Sequence, residues 1–323
     1  MTYQPDNEIF ANVYEPFCLV AIGVQGSGKS HTMGVVLESC LVPVPGVVNL
    51  RAPMATLVLH YDQSQSNMCE ATGLIETHRA ILRHQQAHHH HRSDYGRPSN
   101  FCCLPRERMV VLVSPSFYLQ RRAFYAGYCE VRPLLLQWKS LNAQQIKKIM
   151  RINEGDSQLY VASMLDLLRR YQREAQVPNF TDFLREIEQV CSIQGQAGPL
   201  RQRLALLQSV VAQADVNANL RSVGGDLESL MASGTLVVAD LTDPLLARED
   251  ANALFQVLVE QFRNKSLGAG CGKLLALDEA HKYMDGNSTD GLSAAIVNAA
   301  RLMRHDGLRL AVSTQSPLSL APE

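Results

Sequence analysis

Eight consecutive residues, Gly23-Val-Gln-Gly-Ser-Gly-Lys-Ser30, carry the densest chemistry in this chain of 323 residues. They follow the apolar run Phe17-Cys-Leu-Val-Ala-Ile22 and match G-x-x-x-x-G-K-[ST], the P-loop pattern. Glycines let the backbone turn tightly, so that successive N–H groups point inward at phosphate oxygens. Lys29 can reach the β/γ-phosphates of a nucleoside triphosphate, and the Ser30 hydroxyl can ligate Mg²⁺. A helix is expected from about Lys29 to Leu41, its positive N-terminus aimed at the same anion. Gly23, Gln25, Gly26, Ser27, Gly28, Lys29, Ser30 and His31 are the candidate nucleotide-binding residues.

A second group lies far downstream. The apolar run Leu274 to Leu277 ends in Asp278-Glu279. Nucleotide hydrolysis needs an acidic residue for Mg²⁺ and a nearby carboxylate to orient the attacking water. Asp278 is assigned to the metal, together with Ser30, and Glu279 to the general base. Neighbouring residues on a strand point to opposite faces, and the twist at the strand's end is expected to bring both carboxylates to the phosphate edge. The last apolar run closes in Ser313-Thr-Gln-Ser-Pro317, which offers Gln315 as a sensor of the γ-phosphate or holder of the water. Asp240 and Thr242 are weaker candidates, with a loop cap before Pro244 as the simpler role.

These residues require elements that gather them. Short continuous apolar runs at 17–22, 55–61, 109–113, 235–240, 273–279 and 308–313 read as strands of a buried, mainly parallel sheet. Helical patterns join some of them, at Ala251 to Lys265 and Leu292 to Arg304. Open α/β sheets bind ligands at the carboxyl ends of their strands, so Gly23, Asp240, Asp278 and Thr314 are expected in one crevice. The fold class is therefore α/β, a mainly parallel sheet flanked by helices.

Two stretches interrupt this plan. Residues 63–108 are polar, hold the run His88 to His91, and are expected to form a surface insertion. The histidines could bind metal, but a solvated low-complexity loop is the simpler reading. Residues 139–230 are expected to form an all-helical insertion, with helices over Asn142 to Ile152, Gln158 to Glu174, Asp182 to Cys191 (capped by Thr181) and Pro199 to Ala214. Arg169, Arg170 and Arg173 could meet an acidic partner, although a solvated helix face accounts for them. The expected division is thus 1–138, 139–230 and 231–323, the first and last parts forming one core.

Composition narrows the class further. The net charge is −1, with 46% hydrophobic residues. No global basic excess marks a nucleic-acid binder. The eight cysteines form no C-x-x-C pair, which argues against a zinc ribbon. No signal peptide is visible at Met1 to Phe10, and no apolar run is long enough to span a bilayer. The expectation is a soluble intracellular protein, cytoplasmic or nuclear, without a membrane partner.

Taken together, Gly23 to Ser30, Val-Val-Ala-Asp-Leu-Thr at 237–242, Leu-Leu-Ala-Leu-Asp-Glu-Ala-His-Lys-Tyr at 274–283 and Leu-Met-Arg-His-Asp-Gly-Leu-Arg-Leu-Ala-Val-Ser-Thr-Gln-Ser-Pro at 302–317 resemble the HerA–FtsK superfamily of P-loop motors. Thr314-Gln315 after the last strand is the feature that sets this resemblance apart from P-loop ATPases in general. The resemblance implies an additional-strand, RecA-like ATPase using ATP and Mg²⁺. It implies a homo-hexameric ring that translocates double-stranded DNA or, in secretion relatives, DNA or protein. It also implies that Asp278 and Glu279 are the Walker B pair and Gln315 the sensor. Arg304 matches the arginine of the turn before the last strand and is a candidate arginine finger toward a neighbouring subunit. A cation interacting with the helix dipole is an equal reading of it. Sixteen residues precede Phe17 and six follow Pro317, where the family carries a β-barrel and a further strand; a fragment is expected.

Rival classes fare worse. A GTPase would want N-K-x-D, and Asn264-Lys-Ser-Leu267 fails at the fourth place. Residues 278–281 spell the Asp-Glu-Ala-His helicase box, but a second RecA-like domain does not follow within the chain. A nucleotide-gated scaffold that binds ATP without turnover is the non-enzymatic rival.

Overall fold

The computed structural model describes residues 12–43, 48, 50–75, 104–152, 159–174, 178–190, 197–268, 270–284 and 291–316. Pro317 and the run His88 to His91 lie outside the described residues, as does most of the polar stretch.

Strand β1, Cys18–Ile22, leads through the P-loop into helix α1, Lys29–Leu41. Strands β2, Ala55–His60, and β3, Met109–Val113, are buried at every position, as the unbroken apolar runs require of a sheet covered on both faces. Helix α2, Tyr118–Phe124, follows, and then strand β4, Glu130–Pro133. The sequence analysis missed β4 because Glu130-Val-Arg-Pro133 has no apolar run; charge and proline are tolerated there because β4 is an edge strand.

Five helices come next: α3, Ala143–Ile149; α4, Leu159–Glu174; α5, Phe180–Val190; α6, Ala197–Val210; and α7, Leu227–Leu230. Asn142 and Gln145 close α3 with a reciprocal capping box. Asn179, rather than the expected Thr181, caps α5: its Oδ1 accepts from the Asp182 amide at 2.9 Å. Strand β5, Leu236–Asp240, helix α8, Arg248–Asn264, strand β6, Lys273–Leu277, helix α9, Gly291–Asp306, and strand β7, Leu308–Thr314, complete the chain.

All seven strands are parallel, in the order β1-β7-β6-β2-β5-β3-β4. β7 therefore stands between the P-loop strand and the acidic strand, the arrangement that the term additional strand denotes. Side-chain alternation divides the core. Leu57, Leu59, Leu112, Ala239, Leu275 and Leu277 face α3 to α9, whereas Val58, Val111, Val238, Leu274 and Ala276 face α1 and α2. The result is an additional-strand, RecA-like α/β fold.

Among the described residues, the helical block shares the core of the sheet. Trp138, Ile146, Met164, Phe183 and Leu204 join the same apolar cluster as the sheet residues Leu59 and Leu277. Trp138 anchors it: the ring lies 5.0 Å from Phe180 and 4.7 Å from Phe183, and Nε1 donates to the Pro178 carbonyl at 2.7 Å. Nor is the start of the polar stretch peripheral. Cys69, Ala71 and Ile75 are buried against α1, and Ile75 bridges Leu104.

Candidate active site

The P-loop takes a shape that only its glycines tolerate. Gly26 has φ 79° and Gly28 φ 89°, in the left-handed region where a side chain is strained. A Cβ on Gly23 would lie 2.3 Å from the Ser27 hydroxyl. The Gly23 amide donates to the Thr314 carbonyl at 3.4 Å, tying the loop to the end of β7. Gly28 caps α1 and brings no side chain to the first-turn amides, so these face the cavity above the loop without a capping side chain. Lys29 is 6% exposed. Its Nζ donates to the Val24 carbonyl at 3.1 Å and lies 3.8 Å from Glu279 Oε1.

The acidic pair stands across the cavity, held by three strand ends. The Asp278 amide donates to the Leu59 carbonyl of β2 at 3.0 Å, and the Glu279 amide to Ser313 Oγ of β7 at 2.9 Å. Asp278 Oδ2 is 3.0 Å from His60 Nδ1, and Ser313 Oγ donates to Oδ1 at 3.3 Å. Burial opposes the charge on Asp278, yet the hydrogen bond and charge of His60, the Ser313 bond and the Lys282 charge outweigh it and lower its pKa. Burial likewise opposes a charged His60; its bond to Asp278 and the charges of Asp240 and Asp278 prevail and raise its pKa. The pair therefore keeps Asp278 ionised.

Glu279 adopts φ 50° and ψ 50°, the left-handed region. This turn, rather than the expected twist of the strand end, breaks the alternation of β6 and sends the two carboxylates to different partners. Gln315 Nε2 donates to Glu279 Oε2 at 2.8 Å, and His281 Nε2 lies 3.5 Å from the same oxygen. The Gln315 amide donates to His281 Nδ1 at 3.3 Å, which requires that nitrogen to be unprotonated. Burial, with Lys282 and Lys29 nearby, lowers the His281 pKa against the opposing pull of Glu279. A neutral ring carrying its proton on Nε2 satisfies both neighbours.

Gln25, Gly26, Gly28, Lys29, Ser30, His31, Asp278, Glu279 and Gln315 line one cavity of about 570 Å³, within the size range of small-molecule sites. The structure thus gathers most of the expected residues. It leaves two out. Asp240 is fully buried, accepts from Arg121 and from the Tyr125 hydroxyl, and does not reach the cavity. Thr242 instead holds the Asp62 amide through its hydroxyl at 3.2 Å. Arg304 is exposed in the last turn of α9, just before the start of β7, and so lies at the amino edge of the sheet, opposite the cavity.

Seven lining residues escaped the sequence analysis: His60, Asp62, Ser66, Asn67, Met68, Glu70 and Lys282. Asp62 accepts from Asn67 Nδ2 at 2.6 Å and pairs with Lys282. The rule that brought in Asp278 was sufficient to find His60 and Asp62, which sit at and just beyond the carboxyl end of β2.

No protein-family model matches the sequence, and no curated protein matches it. Among solved structures, the chain is similar to VirB4 of Thermoanaerobacter pseudethanolicus, at 14% identity over 96% of this chain and 74% of that one, with a TM-score of 0.47. It is also similar to the bacterial conjugative coupling protein TrwBdeltaN70 in its unbound form, at 12% identity over 90% and 70% of the two chains, TM-score 0.33. The plasmid coupling protein TrwB in complex with the non-hydrolysable ATP analogue ADPNP gives 13% identity over 95% and 74%, TM-score 0.31. Likenesses of this size leave the chemistry of the site to its own geometry. Fold and site together define a domain of the additional-strand, RecA-like P-loop class.

Proposed function

We propose that the chain binds Mg²⁺·ATP in this cavity and hydrolyses it to drive mechanical work on a polymer, DNA or protein, as conjugation- and secretion-type motors do. One observation supports this above the rest: Lys29 and Gln315, from opposite ends of the chain, converge on the Glu279 carboxylate at 3.8 Å and 2.8 Å. The P-loop amides and the glycine-shaped turn suit a phosphate, and Ser30 and Asp278 share the cavity and suit the metal. Mg²⁺ would neutralise charge developing on the phosphates. In this reading the arriving triphosphate draws Lys29 from Glu279, freeing that carboxylate to accept a proton from the attacking water. Gln315 positions the carboxylate and senses the γ-phosphate. Among the described residues no helix is long and apolar enough to cross a membrane.

A narrower reading is the double-stranded DNA translocase of HerA–FtsK type, which the motif at 302–317 favours; the net charge of −1 gives DNA no special support. Turnover of ATP by the full chain, with and without duplex DNA, separates these readings. Glu279→Gln is expected to retain ATP binding and to lower turnover by about 10²–10⁴-fold, the usual worth of a general base. Turnover unchanged in the variant overturns the assignment of Glu279. Tight ATP binding with no turnover by an assembled wild-type chain points instead to a nucleotide-gated scaffold. Stimulation by duplex DNA favours the narrower reading, and indifference favours another cargo.

A further inference from the structure

Beside the phosphate cavity, three side chains of different donor chemistry face one another. A ring nitrogen of His60, the Cys69 thiol and a carboxylate oxygen of Asp278 lie within 4.8 Å of each other. His60 is 3% exposed and Cys69 fully buried. His60 directs Nδ1 at Asp278 Oδ2, 3.0 Å away. The two ring nitrogens point apart, so a cation held by both His60 and Asp278 binds at Nδ1 and takes the place of that hydrogen bond. A cavity of about 270 Å³, lined by Ser30, Met33, Leu37, Cys69, Glu70 and Asp278, adjoins two of the three.

We propose that His60, Cys69 and Asp278 form a site for a divalent transition metal of the Zn²⁺ class, sharing His60 and Asp278 with the nucleotide cavity. Nitrogen, sulfur and carboxylate donors in one set suit Zn²⁺ and not Mg²⁺, which takes oxygen. Zinc bonds of about 2.0–2.3 Å place tetrahedral ligands about 3.3–3.8 Å apart, so the three donors need to close by about 1 Å. His60 and Asp278 are fixed at strand ends; Cys69 begins the short turn Glu70–Leu74, whose approach supplies the closure. Cys69 binds a cation as the thiolate, giving up the thiol proton. Binding then forms the metal–sulfur bond and releases that proton to solvent.

The test is CoCl₂ titration of the full chain with His88 to His91 changed to alanine, which removes that run as a competitor. Binding of one Co²⁺ per chain with a thiolate-to-cobalt charge-transfer band, bleached by ZnCl₂, is expected. Cys69→Ala is expected to lose the band and weaken zinc binding by more than the ~10–100-fold that outer-sphere changes cost. Cys40→Ala, another buried cysteine, is expected to keep it. In the otherwise unaltered chain, ZnCl₂ is expected to slow alkylation of Cys69, read by peptide mass, and to leave the exposed Cys18 unchanged. A cobalt complex without the band, a band that survives Cys69→Ala, or alkylation of Cys69 indifferent to zinc overturns the proposal. Each measurement reads metal binding alone and is independent of nucleotide hydrolysis.

Discussion

The left-handed backbone at Glu279 lets two neighbouring carboxylates do different things: Asp278 stays with His60 and Ser313, and Glu279 turns to Lys29 and Gln315. A residue with a Cβ incurs a cost of about 1–2 kcal/mol in that region. Non-glycine residues held there cluster at functional sites. The cost can be isolated by comparing two variants that both lose the carboxylate. Glu279→Gly is expected to be about 1 kcal/mol more stable than Glu279→Ala in urea unfolding, because only glycine relieves the strain. Equal stabilities would mean that the turn relaxes in solution. Asp278 differs in that its hydrogen bonds, not its backbone, prepare it: they hold the carboxylate ionised against burial.

At the scale of elements, the site is an accident of neither loop nor helix alone. Three strand ends meet: β6 brings the acidic pair, β2 brings His60, and β7 brings Ser313 and the approach to Gln315. A buried ion pair at the next strand sets the frame. Arg121 of α2 joins Asp240 of β5, and the Tyr125 hydroxyl donates to the same carboxylate at 2.8 Å. The guanidinium also donates to the Gln65 carbonyl at 2.9 Å, securing the segment that carries Asn67 and Cys69. Arg121→Met leaves the Asp240 charge buried without its cation, with the Tyr125 hydroxyl and the Thr242 amide as remaining donors, and is expected to destabilise the chain by about 3–5 kcal/mol in denaturant unfolding. A loss below about 1 kcal/mol would show that water reaches Asp240.

For the whole molecule, Arg304 is the informative residue. It lies at the edge of the sheet away from the cavity, so within one subunit it cannot act on a bound nucleotide. As an arginine finger it would need a neighbour. Mass measurement of the full chain with ATP and Mg²⁺ is expected to give a hexamer, and Arg304→Ala to leave that mass unchanged while lowering turnover by about 10³-fold or more. If Arg304 serves only the dipole of α9, the variant instead loses about 0.3–1 kcal/mol of stability and keeps its turnover.

Much of the nucleotide cavity was legible in the sequence because its parts are local. The run Gly23 to Ser30 needs φ values that only glycine supplies, and the residues at the ends of apolar runs are the ones a parallel sheet presents at its binding edge. β4 was not legible, since Glu130-Val-Arg-Pro133 carries no apolar run, and the helical block's shared core was not, since helical periodicity does not reveal what a face packs against. Asp240 shows the same limit: it ends a strand as Asp278 does, yet Arg121 and Tyr125 close it off. The turn at Glu279 and the meeting of His60, Cys69 and Asp278 belong to tertiary structure alone. They depend on strand order, which places β2 beside β6, and on side chains separated by as many as 218 residues. Residue types and their spacing along the chain determined which groups could take part in chemistry. Packing decided which of them meet, because distance in space is set by sheet register and burial rather than by position in sequence.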